Sequence, residues 1–171
     1  NDLTLLVKGL NEAGVKVGMY TNDAGVTGTP TALASSGNGD VYVVSIGHPN
    51  IKGEIGDLVT GFQKRFNEDY SYFSSYTGLR LLSQAMANAK STNPVRVAAA
   101  MEGLSLKGYA GDVTMRKDDH QLQQTMFITK WAPVSAANPY NVENTGYTFA
   151  PVKQIDVAQA STPTSCQMKR P

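Results

Sequence analysis

The sequence predicts an α/β protein with a parallel sheet. Its first 46 residues contain two successive units of a helix followed by a strand, which is the order that builds parallel sheets. The strands are expected at residues 15–20 and 41–46. The second strand, VYVVSI, is continuous and mostly β-branched, as is typical of a central strand that is buried on both faces. The fold prediction rests on the order of helices and strands, on the positions of the two strands and on the composition of the second strand.

The first helix is expected to run to about residue 13. Asn1 or Asp2 can cap its N-terminus, and Gly14 lies where a left-handed residue would end it. An apolar stripe at positions i, i+3, i+4 and i+7 defines its predicted core face: Leu3, Leu6, Val7 and Leu10. The strand after it, at 15–20, is expected to be short and buried.

The second helix, within residues 23–36, is weaker. Gly25, Gly28 and Pro30 predict a loop first and regular helix only from about Thr31. Residues 37–40, with the sequence GNGD, have the composition of a turn before the second strand.

The chain changes character at residues 48–53. Three helices are expected after this point, at 57–67, 71–89 and 95–103, and the last has Asn93 as a cap before Pro94. The predicted core residues are Leu58, Val59, Phe62 and Phe66 in the first of these helices, Tyr72, Tyr76, Leu79, Leu82 and Met86 in the second, and Val97 and Met101 in the third. The residues alone leave open whether 48–53 is a hinge crossing between lobes or an ordinary loop.

Residues 108–131, GYAGDVTMRKDDHQLQQTMFITKW, predict two strands around a polar turn. The turn is formed by Asp118, Asp119, His120 and Gln121. The apolar positions of the strands are Val113, Met115, Met126, Ile128 and Trp131. A loop follows at 132–147, then a last short strand at 148–152 and a polar tail.

Composition excludes several classes of protein. The chain has 171 residues, of which 41% are hydrophobic and 17% are charged, so a globular protein with a core is expected. Its net charge is +1 without a basic run, which argues against a nucleic-acid surface. It has no stretch of about 20 apolar residues that could span a membrane. The start at Asn1 without an initiator Met suggests a processed or incomplete chain.

Three segments together resemble the periplasmic solute-binding proteins of branched-chain amino-acid-type ABC importers, the type I, leucine-binding-protein-like group. They are NDLTLLVKGLNEAGVKVGMYT, FQKRFNEDYSYFSSYTGLRLLSQAMANAKST and PVRVAAAMEGLSLKGYAGDVTMRKDDHQ, in this order. The closing CQMKRP resembles the tail of one subgroup. The resemblance covers almost the whole chain.

The resemblance implies a fold of two α/β lobes with parallel sheets, flanking helices and hinge crossings, of which this chain is an incomplete C-terminal portion. It places residues 1–48 in lobe two, 49–53 in a hinge crossing, 54–131 in lobe one and 132–171 in a return segment and polar tail. It therefore favours the hinge interpretation of residues 48–53.

The function that the resemblance implies is binding of a branched-chain or other apolar amino acid, or a related small carboxylate, by hinge closure between two lobes. The partner would be an ABC permease in the inner membrane, and no cofactor, nucleic acid or catalysis is expected. The location would be the periplasm, or the cell exterior with a lipid anchor in a Gram-positive host. The alternatives are a ligand-sensing extracellular receptor domain of this fold and a binder of aromatic carboxylic acids.

The predicted ligand-binding residues begin at the end of the first strand. Tyr20 ends that strand, and Asn22 and Asp23 follow at the carboxyl edge, where ligands of open α/β sheets bind. The resemblance implies an acidic residue here that pairs with the ligand's ammonium group, by charge-assisted hydrogen bonds. The alternative is that Asp23 caps the following helix.

The remaining predicted contacts are aromatic. The resemblance implies an aromatic wall near the start of the long helix, for which Tyr72 or Phe73 is the better candidate and Tyr76 a packing residue. Cys166, the single cysteine, is either a free thiol or half of a disulfide whose partner lies outside this chain. The disulfide is the preferred interpretation, with its partner in the missing half that the resemblance implies, and an exported compartment fits it.

Other chemistry is not supported by the residue pattern. Asp118, Asp119 and His120 are adjacent and lack further ligands at a recognised metal spacing, so turn hydrogen bonds are expected, and an ion pair at the surface is expected for Arg116. His48 is expected to be structural. The sequence has no G-x-S-x-G nucleophile elbow and no glycine-rich phosphate loop.

Overall fold

The structure is a computed structural model that describes residues 2–37, 39–166 and 168–170. These residues form two compact units. The first unit contains the residues up to Tyr72 together with Phe127–Gln154, and the second contains Phe73–Met126 together with the residues from Ile155 onward. No helix in the described part of the chain has both the length and the apolar character needed to cross a bilayer.

The helices and strands follow in chain order, with short 3-10 segments at Ala34–Gly37, Tyr70–Ser75 and Val142–Asn144. They are α1 (Asp2–Glu12), β1 (Met19–Thr21), α2 (Thr29–Leu33), β2 (Val41–Ser45), α3 (Glu54–Phe66), α4 (Tyr76–Ala89), α5 (Pro94–Met101), β3 (Ser105–Gly108), β4 (Gly111–Met115), β5 (Leu122–Gln123), β6 (Met126–Pro133), β7 (Tyr147–Ile155) and α6 (Val157–Ala160).

A four-stranded sheet with the order β1-β2-β6-β7 forms the centre of the first unit. Strands β1 and β2 are parallel, with Tyr20 opposite Tyr42, whereas β2 and β6 are antiparallel, with Val43 opposite Thr129. Strand β2 is central, as predicted. The sheet is mixed and not parallel, because β6 returns from a distant part of the chain to pair with β2.

Strand β1 is shorter and more exposed than predicted. Only residues 19–21 pair with β2, and the side chains of Val15 and Val17 are 43% and 47% exposed. The physical reason is the position of β1, which has a single neighbour in the described sheet. A continuous apolar run predicts a strand but does not place it at the centre or the edge of a sheet.

Alternate residues of two neighbouring strands supply part of the core of the first unit. Val41 and Val43 of β2 are buried, and so are Phe127, Thr129 and Trp131 of β6. Their spacing of two residues is the period of a strand with one buried face. Phe149 of β7 and Leu33 of α2 complete this core, together with Val7, Val59 and Val142.

A local signal sets the C-terminal end of α1 as predicted. Gly14 has a φ of +70°, and the N–H of Val15 donates to the carbonyl of Leu10 at 2.9 Å, which is the bond that closes a left-handed helix end. Asp2 is already the first residue of α1, and Asn1, the other predicted cap, lies outside the described residues. Asn38 of the predicted turn also lies outside them.

The second unit contains α4, α5, α6 and a three-stranded sheet with the order β3-β4-β5. Helix α5 begins as predicted, since the side chain of Asn93 accepts hydrogen bonds from the backbone N–H groups of Val95 and Arg96. The buried hydrophobic residues of this unit are Leu81, Ala85, Val97, Tyr109 and Val113.

Three predicted apolar faces are wrong in part. In α3, Val59 is buried as predicted, whereas Leu58 and Phe66 are 44% and 54% exposed. In α4 the buried stripe is Thr77, Leu81 and Ala85, whereas Leu79 and Leu82 are 65% and 42% exposed. Apolar residues occur on both sides of this helix, so its periodicity does not select the packed side. In α1 the predicted core residue Leu6 is 55% exposed, and Thr4 is buried beside Val7.

The predicted hairpin of residues 108–131 is also corrected. Strand β4 pairs with β3, with Gly108 opposite Gly111 across a two-residue turn, and on its other side with β5. Strand β6 joins the sheet of the first unit instead. The polar turn at 116–121 joins β4 to β5, but β5 is only two residues long, Leu122–Gln123, and the chain then leaves this sheet.

The two units divide the chain differently from the predicted lobes. Residues 54–72, predicted to belong with 73–131, lie in the first unit with residues up to 48, and so do residues 127–131. The assignment of either unit to a lobe stays a prediction.

Candidate ligand-binding site

The candidate site lies at the carboxyl end of β1, in the loop 22–28. Asn22 and Asp23 are exposed. The backbone N–H of Asp23 donates to the hydroxyl of Thr21 at 3.0 Å, and its carbonyl accepts from Val26 N–H at 3.1 Å. The side chain of Asp23 does not cap the next helix, because α2 begins after Gly28. Asp23 is therefore an exposed residue at the carboxyl end of β1 that does not cap a helix.

Glu143 caps α2 in place of Asp23. Its Oε1 accepts from the backbone N–H of Gly28 at 2.6 Å, and its Oε2 accepts from the N–H of Thr31 at 2.9 Å and from the Thr31 hydroxyl at 2.6 Å. The first N–H groups of a helix lack partners within the helix, and a carboxylate satisfies them well. One side chain from the loop between β6 and β7 thus fixes the end of loop 22–28.

Asp69 holds Glu143 in turn. The Asp69 side chain is buried; its Oδ2 accepts from Glu143 N–H at 2.5 Å, and its Oδ1 accepts from Tyr70 N–H at 3.2 Å. The two carboxylates therefore join three segments of the first unit: 22–31, 69–72 and 141–144.

Tyr70 closes this arrangement on the side of loop 22–28. A Cβ atom built on Gly25 would lie 2.9 Å from the Tyr70 hydroxyl oxygen, which is closer than real Cβ atoms approach. Glycine at position 25 thus allows the Tyr70 hydroxyl to reach the backbone of the loop. A cleft of about 250 Å³ adjoins this cluster and is lined by polar residues, including Thr27, Gln63, Asn67 and Glu68.

Tyr20 lies beside the loop but is held by the sheet. Its ring is 64% exposed and stacks on Tyr42 of β2, with ring centroids 4.9 Å apart and an angle of 13°. Lys130 belongs to β6, the other neighbour of β2 in the sheet, and its ammonium group lies 5.8 Å from the centre of the Tyr42 ring. This ladder orients Tyr20 across three strands.

The two aromatic candidates fall in different units. Tyr72 is 52% exposed in the first unit, and its ring centroid is 6.0 Å from that of Phe62. Phe73 belongs to the second unit, where it packs 6.0 Å from Tyr109 and 6.2 Å from Tyr76. The structure thus places Tyr20, Asn22, Asp23 and Tyr72 in one unit and Phe73 in the other.

Sequence reasoning missed Asp69, Thr31 and Glu143. Glu143 is 112 residues from Thr31 along the chain, and the sequence predicts only a loop around it, at 132–147. No sequence motif links these residues. They are related by their contacts in the folded chain, and a single sequence does not show such contacts.

The polar turn of the second unit has the role that was predicted for it. Arg116 donates to both carboxylate oxygens of Asp119, at 2.8 Å and 2.5 Å, and Asp119 also accepts from Gln121 N–H. The ion pair is confirmed, although it is less exposed than a surface pair, with side chains 18% and 10% exposed. The hydrogen bonds from Arg116 hold the pKa of Asp119 well below its usual range.

His48 lies in the packed interior of the first unit, and Cys166 lies at the surface. His48 is buried against the ring of Phe127, 4.9 Å between centroids, and burial lowers its pKa from 6.5 to about 4. Cys166 is an exposed free thiol, and its predicted disulfide stays a prediction. Within residues 2–37, 39–166 and 168–170 no group of three or more His, Cys, Asp or Glu residues could hold a metal ion.

A helix-flanked sheet with an exposed polar loop at the carboxyl end of a strand is the arrangement in which open α/β folds bind their ligands. Residues 1–138 match the family described as periplasmic binding protein, and the chain belongs to that family. Its architecture is the type I periplasmic-binding fold, as predicted.

Relatives with known names support this assignment. The chain is 31% identical over 191 residues to Leu/Ile/Val-binding protein homolog 4 of Brucella abortus (strain 2308); the match covers the whole chain and 42% of that relative. It is 28% identical, with a TM-score of 0.86, to the crystal structure of the leucine-, isoleucine-, valine-, threonine- and alanine-binding protein of Brucella ovis in its closed conformation, covering all of this chain and 45% of that one.

A more distant structure shares the fold alone. The solute-binding protein of an ABC transporter from Rhodopseudomonas palustris BisB5, in complex with 3,4-dihydroxybenzoic acid, has a TM-score of 0.64 at 14% identity and covers 90% of this chain and 48% of that chain.

Proposed function

We propose that the chain is part of an extracytoplasmic solute-binding component of an ABC importer. The observation that carries the proposal is the loop 22–28, in which Asn22 and Asp23 are exposed at the carboxyl end of β1 and Gly25 lies against the hydroxyl of Tyr70. This loop belongs to a chain of the periplasmic binding protein family. Because the chain spans 42% of the length of its Brucella relative, the activity of a whole protein remains part of the proposal.

The ligand class that fits this loop is a branched-chain or other apolar amino acid. Asp23 supplies a carboxylate for the ligand's ammonium group, and Asn22 supplies an amide that both donates and accepts. Tyr72 and Tyr20 supply aromatic surface for an apolar side chain. The names of the two Brucella proteins support the same class: one is a Leu/Ile/Val-binding protein homolog and the other a leucine-, isoleucine-, valine-, threonine- and alanine-binding protein.

The proposed action is reversible binding without covalent chemistry. The partner is an ABC permease, and the location is the periplasm or the outer face of the cell. Hinge closure, which the family resemblance implies, is part of this proposal.

Calorimetry tests the proposal on a parent-length polypeptide, meaning one that contains these residues and has the length of the Brucella relative. We expect L-leucine, L-isoleucine or L-valine to bind and 4-hydroxybenzoate to bind more weakly. Asp23→Asn should weaken amino-acid binding at least tenfold, because a charge-assisted hydrogen bond is stronger than a neutral one. Glu12→Gln, which removes an exposed carboxylate at the end of α1, is the matched control.

Three results would contradict the proposal or a part of it. Absence of binding for all three amino acids would refute the ligand class. Preferential binding of 4-hydroxybenzoate would replace it with aromatic carboxylic acids. Equal affinity for Asp23→Asn and Glu12→Gln would remove Asp23 from the site.

A further inference from the structure

We infer that Glu143 is a positioning residue for ligand binding: its carboxylate sets the conformation of loop 22–28 and thereby the affinity for the ligand. The inference rests on the proposed function, because it concerns the same loop. Glu143 itself makes no proposed ligand contact.

The first step is the contact between Glu143 and the end of the loop. Both carboxylate oxygens are used, Oε1 by Gly28 N–H and Oε2 by the N–H and hydroxyl of Thr31. Three donors converge on one side chain, so its orientation and that of the Gly28 backbone are fixed together.

The second step is the connection from Gly28 back to Asp23. Thr29 N–H donates to the Val26 carbonyl at 2.9 Å, and Val26 N–H donates to the Asp23 carbonyl at 3.1 Å. The two turns follow each other directly. A shift of the backbone at Gly28 therefore changes the position of Asp23, the residue proposed to meet the ammonium group.

The third step is a second path that reaches the loop from Asp69. Its Oδ2 accepts from Glu143 N–H and its Oδ1 accepts from Tyr70 N–H, and the Tyr70 hydroxyl lies against Gly25. The loop is thus held at Gly28 by Glu143 and at Gly25 by Tyr70, and Asp69 joins the two holding residues. Loss of the Glu143 carboxylate removes the contact at Gly28 and leaves the contact of Tyr70 at Gly25.

The test combines amide hydrogen exchange with calorimetry on the parent-length polypeptide, using L-leucine as the probe. Glu143→Gln replaces an acceptor oxygen by an N–H₂ group that faces backbone donors. We expect faster exchange at Gly28 and Thr31 and in loop 22–28, and an affinity for leucine that is on the order of tenfold weaker, within the usual range of coupling between sites. Glu12→Gln should leave both measurements unchanged.

A second pair of variants separates positioning from general destabilisation. Thr31→Val removes only the hydroxyl donor to Glu143, and Thr31→Ser retains it. We expect Thr31→Val to weaken leucine binding and to accelerate exchange within residues 22–31, and Thr31→Ser to restore both. A merely structural role would accelerate exchange throughout the first unit, including β2, and would overturn the inference.

The outcomes also separate this inference from the proposed function. If the unmodified polypeptide binds leucine and Glu143→Gln binds it equally well, the inference fails and the function stands. If the unmodified polypeptide binds no amino acid, the proposed function fails, and the inference fails with it.

Discussion

The indole N–H of Trp131 donates a hydrogen bond of 2.7 Å to the carbonyl oxygen of Ala34. This bond joins β6 to the 3-10 turn that follows α2. The ring is fully buried, stacks on Tyr147 at 5.4 Å and lies 4.8 Å from Phe149. Trp131 thus links α2, β6 and β7 in the core of the first unit.

Trp131→Phe should lower the free energy of unfolding by about 2–3 kcal/mol. The variant leaves the Ala34 carbonyl without its donor and leaves a void where the larger ring was. Urea unfolding followed by circular dichroism measures the change. The control is Val134→Ala. Val134 lies one residue beyond the end of β6 and is 38% exposed, so this change should alter stability little. A loss below about 0.5 kcal/mol would contradict this role for Trp131.

Local signals explain which elements the sequence could predict. The Asn93–Pro94 start of α5, the glycine end of α1 and the β-branched run of β2 each depend on neighbours within a few residues. Their predicted bounds agree with the structure to within two residues at these points.

Contacts between distant segments explain what the sequence could not predict. The pairing of Val43 with Thr129 spans 86 residues, and the bond from Gly28 to Glu143 spans 115. The spacing of hydrophobic residues predicts neither contact, because it indicates which face of an element is buried and not which segment covers that face. The loop of the candidate site was accessible to prediction because it follows a strand directly, whereas the residues that hold it were not.

Stability should depend on pH through His48. In the folded protein, burial lowers the pKa of His48 to about 4, so its imidazole stays neutral down to about that pH. In the unfolded chain the same imidazole takes up a proton near its ordinary pKa of 6.5. The free energy of unfolding should therefore fall as the pH drops from 6.5 to 4 and should level off below 4, by about 3 kcal/mol in total from this group.

His48→Gln tests this assignment. Urea unfolding at several pH values between 4 and 7 should show a shallower fall for the variant than for the unmodified chain. His120→Gln, which changes the other of the two histidines and leaves His48 in place, should keep the steep fall. Parallel curves for His48→Gln and the unmodified chain would assign the pH dependence to other groups.

The Arg116–Asp119 pair makes a prediction in a lower pH range. The hydrogen bonds from Arg116 lower the pKa of Asp119, and a hydrogen bond from the side chain of Thr164 lowers it further. The pair's contribution to stability is present above the ordinary carboxyl value of 3.8 and is lost as the pH falls toward the folded-state value.

Arg116→Lys should raise the pKa of Asp119. Lysine keeps the charge but cannot make the two parallel hydrogen bonds of a guanidinium. The titration of the Asp119 carboxyl carbon, followed by NMR, measures the shift, and Arg80→Lys in the same unit is the control. An Asp119 titration that is unchanged in Arg116→Lys would show that the bidentate geometry is not its cause.

The approach of Tyr70 to Gly25 makes the last prediction. Alanine at position 25 would place its Cβ 2.9 Å from the Tyr70 hydroxyl oxygen, whereas the next atom of that ring, Cζ, lies at 3.7 Å, which is an ordinary contact. Gly25→Ala should therefore destabilise the first unit by about 1–2 kcal/mol, as overpacking does.

A double-mutant cycle with Tyr70→Phe isolates the cause. The double variant should be more stable than the sum of the two single changes predicts, by on the order of 1 kcal/mol, because removal of the hydroxyl removes the close contact. Additive effects would mean that alanine at position 25 acts through the backbone and not through Tyr70. In that case the tyrosine would not hold the loop, and the loop's position would depend on the Glu143 contacts at Gly28 and Thr31 alone.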